Sequence, residues 1–173
     1  MATEFDRTLP AVLAELHRLE FDYADGKGID FEPFDEFQSA QENAEWIAAW
    51  TGNKKLTASE YRIFGQDGTG GYAAFWLVRK DKPMEQQPIV FFGSEGELGV
   101  VASCLDDYLW MLAGGIGPYE SLAHHGLEHK PNQEFTAFAA KHAGGAKKSA
   151  RDVVTAARAE FPEFEAGIRA LCR

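Results

Sequence analysis

Tyr61-Arg62-Ile63-Phe64-Gly65-Gln66-Asp67-Gly68-Thr69-Gly70-Gly71-Tyr72-Ala73-Ala74-Phe75-Trp76-Leu77-Val78 sets two apolar, aromatic-rich runs on either side of a glycine-rich turn. That pattern reads as a β-hairpin. Pro88-Ile89-Val90-Phe91-Phe92 supplies a third run, and Gly93-Ser94-Glu95-Gly96-Glu97 leads tightly into a fourth. Strands are therefore expected at roughly 60–64, 72–79, 88–92 and 98–102. Connections this short exclude the long crossovers that parallel strands need, so the sheet reads as an antiparallel meander.

Helical patterns flank these strands. Ser103 with Asp106 three residues on resembles a capping box, and Leu105, Tyr108, Leu109 and Leu112 recur at helical spacing up to Gly114-Gly115. This helix is the expected packing partner of the sheet. On the N-terminal side, Thr8 is placed to cap a helix with Pro10 in its first turn and Val12, Leu13, Leu16 and Leu19 along one stripe. A second helix is expected from about Pro33 to Thr51, with Phe34, Phe37, Trp46, Ile47 and Trp50 as anchors and Gly52-Asn53 as its stop. The loop Asp22 to Asp30 lies between them. After Pro131, Phe135, Phe138, Ala139 and His142 suggest a helix, Ser149 and Asp152 repeat the capping pattern, and Pro162 separates a last helix carrying Phe164, Ile168 and Leu171. The expected class is α+β: a small antiparallel meander sheet packed by helices, with N-terminal helices and a C-terminal helical extension over 131–173. A length of 173 residues suits one domain spanning 1–173.

The chain carries a formal charge of −10. Residues 1–50 hold 12 Asp and Glu against 3 Lys and Arg, a net of −9, which leaves −1 for the rest. Such a field opposes a phosphate backbone and argues against direct nucleic-acid binding. It would draw a basic protein partner and speed encounter. The start of the chain lacks a basic and apolar secretory leader, and no apolar run approaches the roughly 20 residues that cross a bilayer, so a cytoplasmic location is expected. Cys104 and Cys172 stand far apart and offer no disulfide framework; Cys104 reads as a buried thiol within an apolar helix.

Motifs with chemical promise mostly have structural readings. Gly65 to Gly71 lacks the Gly-Lys-Ser/Thr ending of a phosphate loop and leads into a strand, where anion binding needs a helix N-terminus. Asp67 reads as a turn former that bonds nearby amides. Gly93-Ser94-Glu95-Gly96 misses nucleophile-elbow spacing by one residue and also leads into a strand. Asp106-Asp107 reads as negative charge in a helix's first turn, and the aromatic residues recur at core periods. His124, His125 and His129 are the one cluster with ligand chemistry. On a helix His125 and His129 would share a face, but no His-Glu-x-x-His is present, no third ligand is specified, and Gly126 weakens the helix. No cofactor, metal or catalytic set is expected.

The ordered set of Phe64-Gly65-Gln66-Asp67-Gly68-Thr69-Gly70, Phe75-Trp76-Leu77-Val78, Pro88-Ile89-Val90 and Val100-Val101-Ala102-Ser103 entering Leu105-Asp106-Asp107-Tyr108-Leu109-Trp110-Met111-Leu112 resembles the SUKH superfamily of fungal cell-wall-assembly regulators and bacterial immunity proteins. The resemblance covers residues 59–113. It implies an α+β fold without a conserved catalytic set or cofactor, and bacterial members commonly neutralise polymorphic toxins, often nucleases, by direct binding. The acidic loop and long aromatic helix before the first strand, and the helices after Pro131, depart from the family pattern. No functional residue is carried over by position.

Together these readings lead to a non-enzymatic binding protein, an immunity protein that covers a basic toxin domain. Asp22, Asp25, Asp30, Glu32, Asp35 and Glu36 form its expected acidic contact surface. The alternatives are a regulatory scaffold of the cell-wall-regulator type and a small metal-dependent hydrolase centred on His124, His125 and His129.

Overall fold

The computed structural model describes residues 4–123 and 129–173. Its centre is a five-stranded antiparallel meander, ordered β1 (Glu32–Pro33), β2 (Tyr61–Gln66), β3 (Tyr72–Trp76), β4 (Ile89–Phe92) and β5 (Leu98–Ala102). Among the described residues seven α-helices lie around it: α1 (Ala11–Leu16), α2 (Ala40–Thr51), α3 (Leu105–Ala113), α4 (Pro118–Ala123), α5 (Gln133–His142), α6 (Ala150–Glu160) and α7 (Phe164–Arg169). The α+β class and the meander are as the sequence predicts.

Continuous apolar strands such as Ile89-Val90-Phe91-Phe92 need cover on both faces, because alternate side chains point to opposite sides. The structure supplies it. One face meets α1, α3 and α5 in a cluster that includes Leu13, Leu16, Phe64, Phe75, Phe91, Tyr108, Leu109 and Phe135. The other meets α2 and α7 through Ile47, Ile63, Val90, Phe92, Phe164 and Ile168. Helix α6 serves both, placing Val153 and Val154 in the first cluster and Ala157 in the second. The C-terminal helices thus complete the core rather than decorating it.

Two register shifts keep the alternation in step with these layers. Gly65 opposes Ala73 while Ile63 opposes Ala74, so Phe64 is the extra residue and joins the first cluster. The shift between Ile89 and Val90 inserts Val101 in the same way. At Gly65 the close approach is the reason for glycine: a Cβ there would stand 2.1 Å from Phe31 Cζ.

Several boundaries differ from the sequence expectation. Helix α2 begins at Ala40, not near Pro33, because Ser39 and Glu42 form the capping box there while Pro33 pairs with Gly65 at the sheet edge. Its stop is as expected, with Gly52 left-handed at φ 71°. Phe37 and Ile47 are fully buried, whereas Phe34, Trp46 and Trp50 pack half-buried on the second cluster. Helix α1 is N-capped by Pro10, which has no side-chain acceptor, and Thr8 lies two residues before it with its amide donating to Asp6 Oδ1 at 2.9 Å. Helix α3 is capped by Cys104 with no side-chain bond, so the Ser103 box does not form, and the half-buried Cys104 thiol sits at the helix start rather than within it. The Ser149 cap does form, accepting from Asp152 N–H at 3.1 Å. Strand β3 stops at Trp76, short of residue 79, because the Gln87 side chain takes over pairing with the Arg79 backbone at 2.9 and 2.7 Å.

Candidate partner-binding surface

The six carboxylates selected from the sequence lie on the segment between α1 and α2. Its path is set by main-chain bonds. Phe34 N–H donates to Phe64 O at 2.9 Å, Phe37 N–H to Arg7 O at 2.8 Å and Gln38 N–H to Ile63 O at 3.0 Å. Two side chains add to the clamp: His17 Nδ1 donates to Phe34 O at 2.7 Å and Arg7 Nε to Phe37 O at 2.7 Å. A carbonyl can only accept, so His17 Nδ1 carries the proton and Nε2, shielded from solvent, is left without a partner. Burial pulls the His17 pKa below its ordinary value, with the Phe34 bond and nearby Asp35 opposing.

Asp22, Asp25, Glu32, Asp35 and Glu36 are exposed, and Asp30 is half-buried. They are distributed along the surface rather than gathered at one point. Asp22 Oδ1 accepts from Ala24 N–H at 2.9 Å and caps a tight turn in which Asp25 takes φ 52°. Asp30 Oδ1 accepts from Gly68 N–H at 2.8 Å, and Glu32 accepts from Gln66 Nε2 at 3.1 Å, so both reach the β2–β3 turn. Asp35 and Glu36 share a cleft of about 340 Å³ with Arg7 and Glu42. Arg7 pairs with Glu36 at 3.1 Å and lies 3.9 Å from Glu42. Part of the segment's charge is therefore already committed within the fold.

Beside Asp30 stand carboxylates that sequence spacing does not reveal. Glu120 is only 3% exposed; its Oε1 accepts from Gly117 N–H at 3.1 Å and its Oε2 from Asp30 N–H at 3.2 Å. Burial raises the Glu120 pKa to about 7, with a smaller push from Asp30, against the lowering effect of those two bonds. Burial raises the pKa of Tyr119 next to it, and the negative charges of Glu97, Asp67, Asp30 and Glu120 raise it further. Asp67 is the turn former expected: its Oδ1 accepts from Thr69 N–H, Thr69 Oγ and Gly71 N–H at 2.8–3.0 Å. Only the tertiary fold brings Glu120, 90 positions along the chain, to the amide of Asp30.

No family model, curated protein or solved structure matches this chain.

His124 and His125 lie outside the described residues. His129 is half-buried, its Cβ close to Gly115. Among the described residues no group of three His, Cys, Asp or Glu side chains is placed to hold a metal ion, and no helix is long and apolar enough to cross a membrane.

Proposed function

We propose that this protein is a non-enzymatic binding module, an immunity protein of the SUKH kind that neutralises a basic toxin domain by covering it. The observation that carries this reading is the acid-rich segment from Asp30 to Gln38. Its backbone is held to β2, to Arg7 and to His17 at the end of α1 at five points, while most of its carboxylates face outward. A surface already fixed in the free protein loses little conformational entropy on binding, so more of its interaction free energy appears as affinity. The same charge would steer a cationic partner. The resemblance over 59–113 supports the immunity role, and the departures around it coincide with the surface that would determine which toxin is bound.

The test is capture of partners from a lysate of the source by tagged protein, washed at rising salt. A basic protein released by salt is expected. A variant with Asp22, Asp25, Glu32, Asp35 and Glu36 converted to Asn or Gln, sparing the half-buried Asp30, is expected to bind it about tenfold more weakly or less and with a shallower salt dependence. Unchanged affinity and salt dependence would remove this surface from the contact. Recovery of no basic partner, from a lysate that contains the products of neighbouring genes, would count against the immunity role itself.

A further inference from the structure

A second acidic surface lies at the far end of β2. Tyr61, where the strand starts, follows Glu60, whereas Gln66, where it ends, holds Glu32. Six residues of strand separate Glu60 from Gln66, the partner of Glu32, by roughly 20 Å, while Asp35 and Glu36 lie nearer, beside Ile63 and Phe64. At the Glu60 end, Pro162 breaks the chain between α6 and α7, and the corner leaves a groove of about 470 Å³. Its walls are Trp76, Phe161 and Phe164 with Ile168 at the base, and Glu60 and Glu163 stand exposed at its rim. Trp76 meets Phe161 at 5.3 Å and 63°, and Phe164 at 4.8 Å and 53°, so the walls are braced against one another.

We infer that this groove receives a lysine or arginine side chain of a protein partner, its aliphatic stem against the three rings and its cation at Glu60 and Glu163. The fold contains its own example of the chemistry. Arg79 places its guanidinium 5.5 Å over the Phe161 ring and pairs at 2.6 Å with Glu160, which also lines the groove. Glu60 and Glu163, by contrast, have no ion pair with any described residue, so of the three carboxylates that line the groove two are left unneutralised beside its cation-attracting rings. An uncharged apolar occupant would strip water from those carboxylates without replacing it. An anionic occupant, a nucleic acid included, would be repelled. A cation on an apolar stem satisfies both rings and rim.

The inference rests on the reading that the partner is a basic protein, and its test separates the two. Chemical shifts of isotopically labelled protein are followed while N-acetyl-arginine methylamide is added, with uncharged N-acetyl-norleucine methylamide as control. The arginine probe is expected to move the Trp76 indole and the Gly167 amide at millimolar concentration, and the norleucine probe to leave them in place. Glu60→Gln with Glu163→Gln is expected to weaken the response about tenfold, whereas neutralising the 22–36 surface leaves it intact. Equal response to both probes, or no loss in the double variant, would overturn the inference. So would a captured basic partner whose affinity is unchanged by both Glu60→Gln with Glu163→Gln and the milder Trp76→Leu, and in that case the immunity reading would survive. A groove that selects arginine in a protein for which no basic partner is found would have the opposite meaning.

Discussion

Glu120→Gln should make the protein less sensitive to alkaline pH, by an amount that follows from one buried carboxyl. Glu120 is 3% exposed and titrates near 7 in the fold, against an ordinary value of 4.5. Between those values the folded chain holds a proton that the unfolded chain has lost, so this group lowers stability as pH rises. The rise from 4.5 to about 7 corresponds to about 3 kcal/mol once the carboxyl is ionised in both states, and about 2 to 3 kcal/mol of that falls between pH 5 and pH 8. Glutamine stays neutral at every pH. It gives up one of the two acceptor oxygens now used by Gly117 and Asp30, at a cost of about 1 kcal/mol that does not vary with pH.

The advantage of the variant over the wild type should therefore grow by about 2 to 3 kcal/mol from pH 5 to pH 8, from slightly negative or null to clearly positive. Urea unfolding followed by fluorescence of the four tryptophans reads this directly. For an m-value of ~2 kcal/mol/M, the gap between the two midpoints widens by about 1 M. Groups that titrate identically in both proteins cancel in the difference. A gap constant within about 0.5 kcal/mol over this range would refute the assignment of a raised pKa to Glu120 and, with it, the account of burial as its cause.

Two further expectations concern how the acid segment is seated. Gly65→Ala would drive a Cβ into the Phe31 ring, which is itself 6% exposed, and should destabilise by about 1–3 kcal/mol in the same urea assay. Gly167→Ala makes the same chemical change in α7 with no atom within 4 Å and should stabilise by about 0.5–1 kcal/mol, so equal effects at the two sites would show that the Phe31 contact is not the cause. At His17 the sign is opposite to that at Glu120. Burial disfavours the charged ring, so stability falls as pH drops below 6.5 through the lower folded value; a His17 resonance that titrates at or above 6.5 by NMR would contradict this.

The sheet was legible in the sequence because its determinants are local. Short apolar and aromatic runs, glycine turns and short connections specify β2 to β5 without knowledge of what covers them. What escaped was decided at a distance. Pro33 continues a helical pattern on paper, yet it joins the sheet because Gly65 offers a partner 32 positions away, and Ser39 provides a better helix start. Asn43 shares the helical face of Trp46, Ile47 and Trp50, yet its amide finds a partner only in the tertiary fold, where it is fully buried and donates to Tyr61 O at 3.0 Å. The acidic bias of the first third could be counted, and five of its six selected carboxylates are exposed. That Arg7 neutralises Glu36, or that Glu120 binds the amide of Asp30, depends on contacts no spacing rule encodes.

On the proposed reading the two acidic surfaces would contribute in kinetically different ways. Exposed charges such as Asp25 and Asp35 act across solvent over about a Debye length, roughly 8 Å at physiological ionic strength, and so favour encounter before any contact is made. A side chain inserted among Trp76, Phe161 and Phe164 acts only after docking, and must leave its groove before the complex separates. Neutralising the 22–36 surface should consequently slow association and flatten its salt dependence, whereas Trp76→Leu should speed dissociation and leave association nearly unchanged. The two effects should be close to additive, because neither set of side chains shares a partner with the other.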